Sequence, residues 1–121
     1  MRLPQFTYHS PDTLEKVLAL LDEHREHAGV LAGGTDLLVR MKHRLAAPKV
    51  LVSLKHLDNL SYVRETSGAL CIGAKTPIID VIRSDRVRHQ APALAQACER
   101  IGAVSIQHFR GTIGGNILQD N

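Results

Sequence analysis

Val30-Leu31-Ala32-Gly33-Gly34-Thr35-Asp36-Leu37-Leu38 is the stretch on which the reading of this chain turns. A short apolar run meets two adjacent glycines, and a polar pair then leads into apolar residues at helical spacing. That order predicts a strand over 30–32, a tight glycine turn, and a helix capped by Thr35 or Asp36 with Leu37, Leu38, Met41 and Leu45 on its apolar face. Pro48 stops this helix, and Val50-Leu51-Val52 resumes as strand.

Upstream, Phe6-Thr7-Tyr8 alternates like a short edge strand. Ser10-Pro11-Asp12 predicts a helix start, with Ser10 as cap and Pro11 in the first helical position. Leu14, Val17, Leu18 and Leu21 then form one stripe expected to be buried, and the helix is expected to end near His27, before Gly29. The first half therefore alternates strand and helix. The second half changes character near residues 55–60. Tyr62-Val63-Arg64-Glu65, the turn Thr66-Ser67-Gly68, and Ala69-Leu70-Cys71-Ile72-Gly73 predict a hairpin. Thr76-Pro77 opens a helix with Ile78, Val81 and Ile82, and Pro92 opens another with Leu94, Cys98 and Ile101. The expected domains are 1–56 and 57–121.

Composition narrows the function classes. Hydrophobic residues at 44% and charged residues at 22% are those of a folded globular protein, not of a disordered one. Aromatics at 3% are too few for a base-stacking surface, and the net charge of +3 is dispersed among acids, so a nucleic-acid partner is not expected. No apolar run reaches membrane-spanning length and the amino terminus has no signal core, which predicts a cytoplasmic protein. Cys71 and Cys98 lack metal-like spacing and are expected as reduced core thiols. No catalytic triad and no metal set stand out among the seven histidines. His24 and His27 at i, i+3 fit a metal seat or a solvated face beside Glu23 and Glu26. His108 and Lys75 are each open to a cofactor role or to a purely structural or solvated one.

The glycine loop at 33–34 has two readings. It is a plain strand–helix turn, or it is an anion site in which glycine admits close approach and the helix amides meet a phosphate. Each exposed dipole contact contributes about 0.3–1 kcal/mol, so an anion site needs several convergent N–H groups. Asp36 would repel a diphosphate unless its carboxylate is engaged by the helix or nearby backbone. The loop lacks the Lys of a P-loop and the full glycine pattern of a Rossmann turn. A second segment, Thr112-Ile113-Gly114-Gly115-Asn116, reads either as a tight turn or bulge, or as further backbone donors with the Thr112 hydroxyl and the Asn116 amide beside them.

Taken together, Ala32-Gly33-Gly34-Thr35-Asp36 and Thr112-Ile113-Gly114-Gly115-Asn116 resemble the FAD-binding subunit of the xanthine dehydrogenase and carbon monoxide dehydrogenase family. Phe6, Tyr8, Ser10-Pro11 and Leu14 look like that family's opening, and Ile72-Gly73-Ala74-Lys75-Thr76 like its central strand and turn. The ending Gly115-Asn116-Ile117-Leu118-Gln119-Asp120-Asn121 looks closest to the flavin subunit of 4-hydroxybenzoyl-CoA reductase. Two departures stand beside these matches. The usual Arg-Asn pair before the second glycine turn is absent, and the chain is shorter than family members, which suggests a fragment or split subunit.

The resemblance implies an α+β fold: a small βαβ-type amino-terminal subdomain plus the first part of a second α+β subdomain, the two gripping FAD. Val30, Leu31, Ala32, Gly33, Gly34, Thr35, Asp36 and Leu37 would contact the diphosphate and ribose. Thr112, Ile113, Gly114, Gly115 and Asn116 would close from the other side, and Gly102 matches a further contact. It also implies iron–sulfur and molybdenum-cofactor partner subunits, and a downstream chain completing a split subunit. The flavin would carry the redox step, with no side chain of this chain acting as catalyst. A non-catalytic assembly piece of the same fold is the alternative. A glycine-loop module for ATP or NAD is a third reading, resting on the loops alone.

Overall fold

The computed structural model describes residues 2–119, so Met1, Asp120 and Asn121, including the end of the run likened to 4-hydroxybenzoyl-CoA reductase, lie outside the described residues. The chain divides into two compact units, Met1–Asp58 and Asn59–Asn121.

The first unit is built on three parallel strands, β1 (Thr7–His9), β2 (Ala28–Leu31) and β3 (Val50–Ser53), in the order β1-β3-β2. Parallel neighbours require crossover connections. Helices α1 (Leu14–His24) and α2 (Leu37–Lys42) lie in those connections. The central strand is buried along its whole length, with Val52 fully inaccessible, and Val17 and Met41 from the two helices are also buried.

Several boundaries differ from expectation, each for a local reason. Helix α1 is capped by Thr13, whose hydroxyl accepts the Lys16 N–H at 3.3 Å, so Ser10-Pro11-Asp12 precedes the helix and does not start it. Its apolar stripe is only partly buried, because Leu14 and Leu18 are exposed and Val17 alone reaches the core. The helix stops at His24, where Arg25 takes a left-handed φ of 43° and a turn of 3₁₀ helix, Arg25–His27, follows. Gly29 lies inside β2 and not at its edge, since a Cβ there would press on Pro48 at 3.1 Å. Ala32 falls outside the strand. Helix α2 ends at Lys42, leaving Leu45 exposed in the following loop beside Arg44, whose φ is 60°.

The second unit opens with a hairpin, β4 (Val63–Thr66) and β5 (Ala69–Ile72), in which Thr66 pairs with Ala69. Ser67 and Gly68 have φ of 52° and 75°, the two-residue turn whose twist suits paired strands. Helices α3 (Ile78–Arg83), α4 (Asp85–Gln90) and α5 (Pro92–Glu99) follow. Helix α4 was not expected; its signal was Ser84, whose hydroxyl accepts the Val87 N–H. Ile78, Val81, Val87, Ala95, Cys98 and Ile113 form the core, with Ile101 packed against it from beyond the end of α5. Short helices α6 (Gln107–Arg110) and α7 (Ile113–Ile117) complete the described chain. These elements give the mixed α+β fold that the sequence implied.

Truncating Leu51 to Ala should cost about 2–5 kcal/mol in chemical denaturation, as for other core leucines. Leu45→Ala should fall within about 0.5 kcal/mol, as an exposed loop residue would. Comparable losses at both positions would contradict this placement of Leu45.

Candidate functional site

In the first unit all strands run the same way, so the glycine loop continues from the carboxyl end of the sheet, where open parallel sheets place their ligands. Val30 and Leu31 lie in β2, Ala32 is exposed just beyond it, and residues 33–36 form a half-buried loop that enters α2 at Leu37. Gly34 adopts a φ of 78°, a conformation that glycine takes without cost. Its carbonyl accepts the Leu38 N–H at 3.2 Å, which fastens the loop to the helix. Among the described residues, the amides of Gly33, Gly34 and Thr35 make no hydrogen bond. Consecutive unbonded N–H groups around a left-handed glycine form a concavity suited to an anion.

Neither Thr35 nor Asp36 caps α2 with its side chain, contrary to expectation. Instead the Asp36 carboxylate lies 3.9 Å from the Arg40 guanidinium, one turn along. Both groups are partly exposed, so the pair adds little stability, but it offsets the negative charge beside the loop.

Further polar groups gather at the same end of this sheet. Alternate positions on neighbouring strands share a face, and Tyr8 pairs with Leu51 while Leu31 pairs with Ser53. The buried Ser53 hydroxyl accepts the Lys55 N–H at 3.2 Å. The Ser53 hydroxyl is the first cause holding the Tyr8 phenol below its usual pKa. Ser10 Oγ is itself buried without a formed hydrogen bond. An open depression of about 410 Å³ lined by Gln5, Phe6, Thr7 and Lys49 sits at the opposite, amino end of the strands, away from the glycine loop.

The second unit treats its glycines differently. Thr112 is the N-cap of α7 and its hydroxyl accepts the Gly115 N–H at 3.2 Å, so the glycine pair opens a helix and is not the expected turn or bulge. The Ile113 amide donates to the Thr76 carbonyl, that of Gly114 to Ala74, and that of Asn116 to Thr112. The Asn116 side-chain amide donates to the Thr112 carbonyl at 3.0 Å. These donors, read from the sequence as available to a ligand, are engaged within the protein. Gly114 is required by packing, because a Cβ would lie 2.7 Å from the Ala74 carbonyl oxygen. What this segment can present is the surface of Gly115, which is exposed and has no side chain.

A residue that sequence reasoning placed at a strand-turn and a helix start, with no anchoring role, holds this arrangement. Thr76 is buried, and its hydroxyl accepts the Tyr62 N–H at 2.9 Å and donates to the Tyr62 carbonyl at 3.0 Å. Its backbone carbonyl then takes the Ile113 amide. No sequence pattern signals such a pairing across fourteen residues.

Gly102 has a φ of 42° and packs on Gln107, whose side chain accepts the Ala103 N–H, so a backbone turn accounts for it. His108 is buried with Nε2 2.7 Å from the Ile101 carbonyl oxygen, a bond that gives it a structural role. Lys75 is half-buried and its N–H donates to the Leu60 carbonyl. His24 ends α1 whereas His27 lies in the following 3₁₀ turn, each near its own neighbouring glutamate. Cys98 is buried, which raises its thiol pKa, while Cys71 is only half-buried on β5 and not a core thiol; both are free. Among the described residues, no group of three or more His, Cys, Asp or Glu converges, and no helix is long and apolar enough to cross a membrane.

Comparison with known proteins gives consistent results. A family model described as FAD binding domain in molybdopterin dehydrogenase matches residues 4–121. The carbon monoxide dehydrogenase medium chain of Hydrogenophaga pseudoflava is 39% identical over 114 residues, covering 94% of this chain and 39% of that relative. The nicotinate dehydrogenase FAD-subunit of Eubacterium barkeri is 31% identical over 116 residues, covering 95% and 39%. Among solved structures, carbon monoxide dehydrogenase from Hydrogenophaga pseudoflava, in a form lacking the Mo-pyranopterin moiety, superposes with a TM-score of 0.91 at 38% identity. That match covers 97% of this chain and 40% of the other. Quinoline 2-oxidoreductase from Pseudomonas putida 86 gives 0.87 at 29% identity, covering 95% and 40%. The chain thus spans about two fifths of the length of these relatives.

Replacing Thr76 by Val keeps its shape but leaves the Tyr62 N–H and carbonyl without their partner. Thermal or denaturant unfolding should register a loss of about 1–3 kcal/mol. A neutral result would remove Thr76 from its anchoring role.

Proposed function

The chain belongs to the family of FAD-binding domains in molybdopterin dehydrogenase, and from that premise we propose that it binds the FAD diphosphate through residues 30–37. FAD is the cofactor of this family. The observation that carries the assignment of site is the run of unbonded amides at Gly33, Gly34 and Thr35. These residues fit a phosphoryl group: they supply donors, glycine permits close approach, and the neighbouring carboxylate is turned toward Arg40.

In the second unit, residues 112–116, through the exposed surface of Gly115, and Gly102 are proposed FAD contacts as well. With their amides engaged internally, residues 112–116 contribute shape more than hydrogen bonds. Bound FAD supplies the redox chemistry, and this chain's residues bind and orient it. The whole protein is the flavin component of a molybdenum-containing oxidoreductase of the cytoplasm. It relays electrons between iron–sulfur and molybdenum subunits and an external donor or acceptor. The relatives named above are carbon monoxide, nicotinate and quinoline enzymes. The finer likeness to 4-hydroxybenzoyl-CoA reductase rests on the terminal run of residues 115–121 alone.

A second reading, an assembly piece without flavin, draws on exposed apolar side chains in the second unit, chiefly Val104, Ile106, Phe109, Ile117 and Leu118. Apolar groups gathered in one segment mark a surface that meets protein.

Flavin content separates the two. The purified chain, alone or with a co-expressed partner subunit, should carry FAD released on denaturation and identified by chromatography. Gly34→Val should abolish retention, because a β-branched residue at a φ of 78° distorts the loop, at a folding cost of about 1–2 kcal/mol. Melting followed in parallel shows that the variant is folded. Full flavin content in folded Gly34→Val would defeat the assignment, and no flavin under any condition would favour the assembly piece.

A further inference from the structure

Positive charge in the first unit is concentrated where α2 returns to the sheet. Residues 37–57 hold five lysines and arginines and no aspartate or glutamate, although the whole chain has 15 basic and 12 acidic residues. Arg40 is paired with Asp36, and Lys55 is also engaged. Lys42, Arg44 and Lys49 are exposed, and among the described residues no carboxylate pairs with them. They lie on the segment leading from the end of α2 to the amino end of β3, so the glycine loop is at the other end of the strands. The Arg44 guanidinium donates to the Arg2 carbonyl at 3.0 Å, which brings the exposed Arg2 beside it. Lys49 lines the open depression of about 410 Å³ with Gln5, Phe6 and Thr7. Arg44 holds a left-handed φ of 60°, where glycine is the unstrained residue, and the next residue, Leu45, is 71% exposed. Asp22, Glu23 and Glu26 precede β2 at this end of the sheet; Glu23 and Glu26 lie nearest His24 and His27, and none of the three pairs with these cations.

A single exposed leucine needs no explanation. A leucine flanked in the chain by unpaired cations, next to a depression open to solvent, has the make-up of a docking surface, an apolar centre with a charged rim. We propose that this surface, centred on Leu45 and rimmed by Arg2, Lys42, Arg44 and Lys49, docks an acidic segment of a partner polypeptide. The partner's carboxylates meet the cations, and one of its apolar side chains covers Leu45. Charge complementarity selects the partner and speeds encounter. A lipid surface requires a broad apolar face, whereas Leu45 is the one large apolar side chain exposed within residues 40–57. The surface stands at the opposite end of the strands from the glycine loop, so this inference goes beyond the flavin reading and does not rest on it.

The test titrates the full chain into a fluorescein-labelled peptide of glutamates around a central leucine and follows anisotropy. The peptide should bind at low salt and weaken as the screening length shrinks below about 8–10 Å. Lys42→Glu combined with Lys49→Glu should weaken binding about tenfold or more, because two attractive contacts become repulsive. Arg86→Glu combined with Arg100→Glu, at exposed positions of the second unit, alters net charge by the same amount and should leave affinity within about twofold. Leu45→Ser should weaken binding about tenfold with an unchanged melting temperature, which keeps the test decisive if the double reversal fails to fold. Equal losses in the two double variants would overturn the inference, since net charge alone would then attract the peptide. Unchanged affinity in Leu45→Ser would overturn it as well. So would no binding of the peptide by the unaltered chain at low salt, or association with phosphatidylserine vesicles in place of the peptide.

Discussion

The parallel pairing of β3 with strands on both sides governs the first unit. A parallel neighbour cannot be reached by a tight turn, so the chain must leave the sheet and return after each strand. Helices α1 and α2 are the consequence, and they bring Val17 and Met41 into the core. The same constraint aligns every carboxyl end at one edge. Residues far apart in sequence, Ser10, Gly33 and Ser53, therefore lie along that one edge. The proposed binding chemistry lies at this edge because the strands end there and hand over to loops. β2 hands over to α2 through a loop whose Gly33, Gly34 and Thr35 amides make no hydrogen bond among the described residues.

The second unit obeys a different logic. Its hairpin is only two strands wide and would be marginal alone. Helices α3, α4 and α5 supply the apolar core, and the turn after β5 supplies the polar framework. Thr76 joins the two, binding Tyr62 on one side and accepting Ile113 on the other. Once those bonds are made, the glycine pair at 114–115 has little hydrogen-bonding capacity left. Its glycines are explained by close packing on Ala74 and by the Thr112 cap.

Periodicity and punctuation made much of this legible. The strand at Val50-Leu51-Val52, the hairpin turn at Ser67-Gly68 and the helices opened by Thr76-Pro77 and Pro92 were readable because each carries a local signal. The errors share a cause as well. Ser10 looked like a cap because cap residues are also the residues that end parallel strands, and only the register with β3 tells the two apart. Leu45 continued the helical spacing of α2, but the left-handed Arg44 had already ended the helix. Gly29 looked like a breaker, whereas in the folded chain it makes room for Pro48. Within the candidate site, the loop at 33–34 was legible, and the Ser10 and Ser53 hydroxyls at the neighbouring strand ends were not. A cluster assembled from several strand ends has no spacing along the chain.

The two glycine pairs illustrate why a residue pattern is weaker than the bonds around it. The first pair precedes a short helix, the second lies in the first turn of one, and a threonine stands within two residues of each. At 33–34 the adjacent threonine leaves the amides unbonded, and the loop can accept an anion from outside. At 114–115 the threonine lies before the pair, in the cap position, and its hydroxyl takes the Gly115 amide that a ligand would otherwise meet. The order Gly-Gly-Thr against Thr-Ile-Gly-Gly therefore decides whether the donors are spent. A capping side chain must precede the amides it binds by two or three residues. Thr35, placed after its glycines, cannot do so for them, and that placement is what keeps the first loop open to a phosphoryl group.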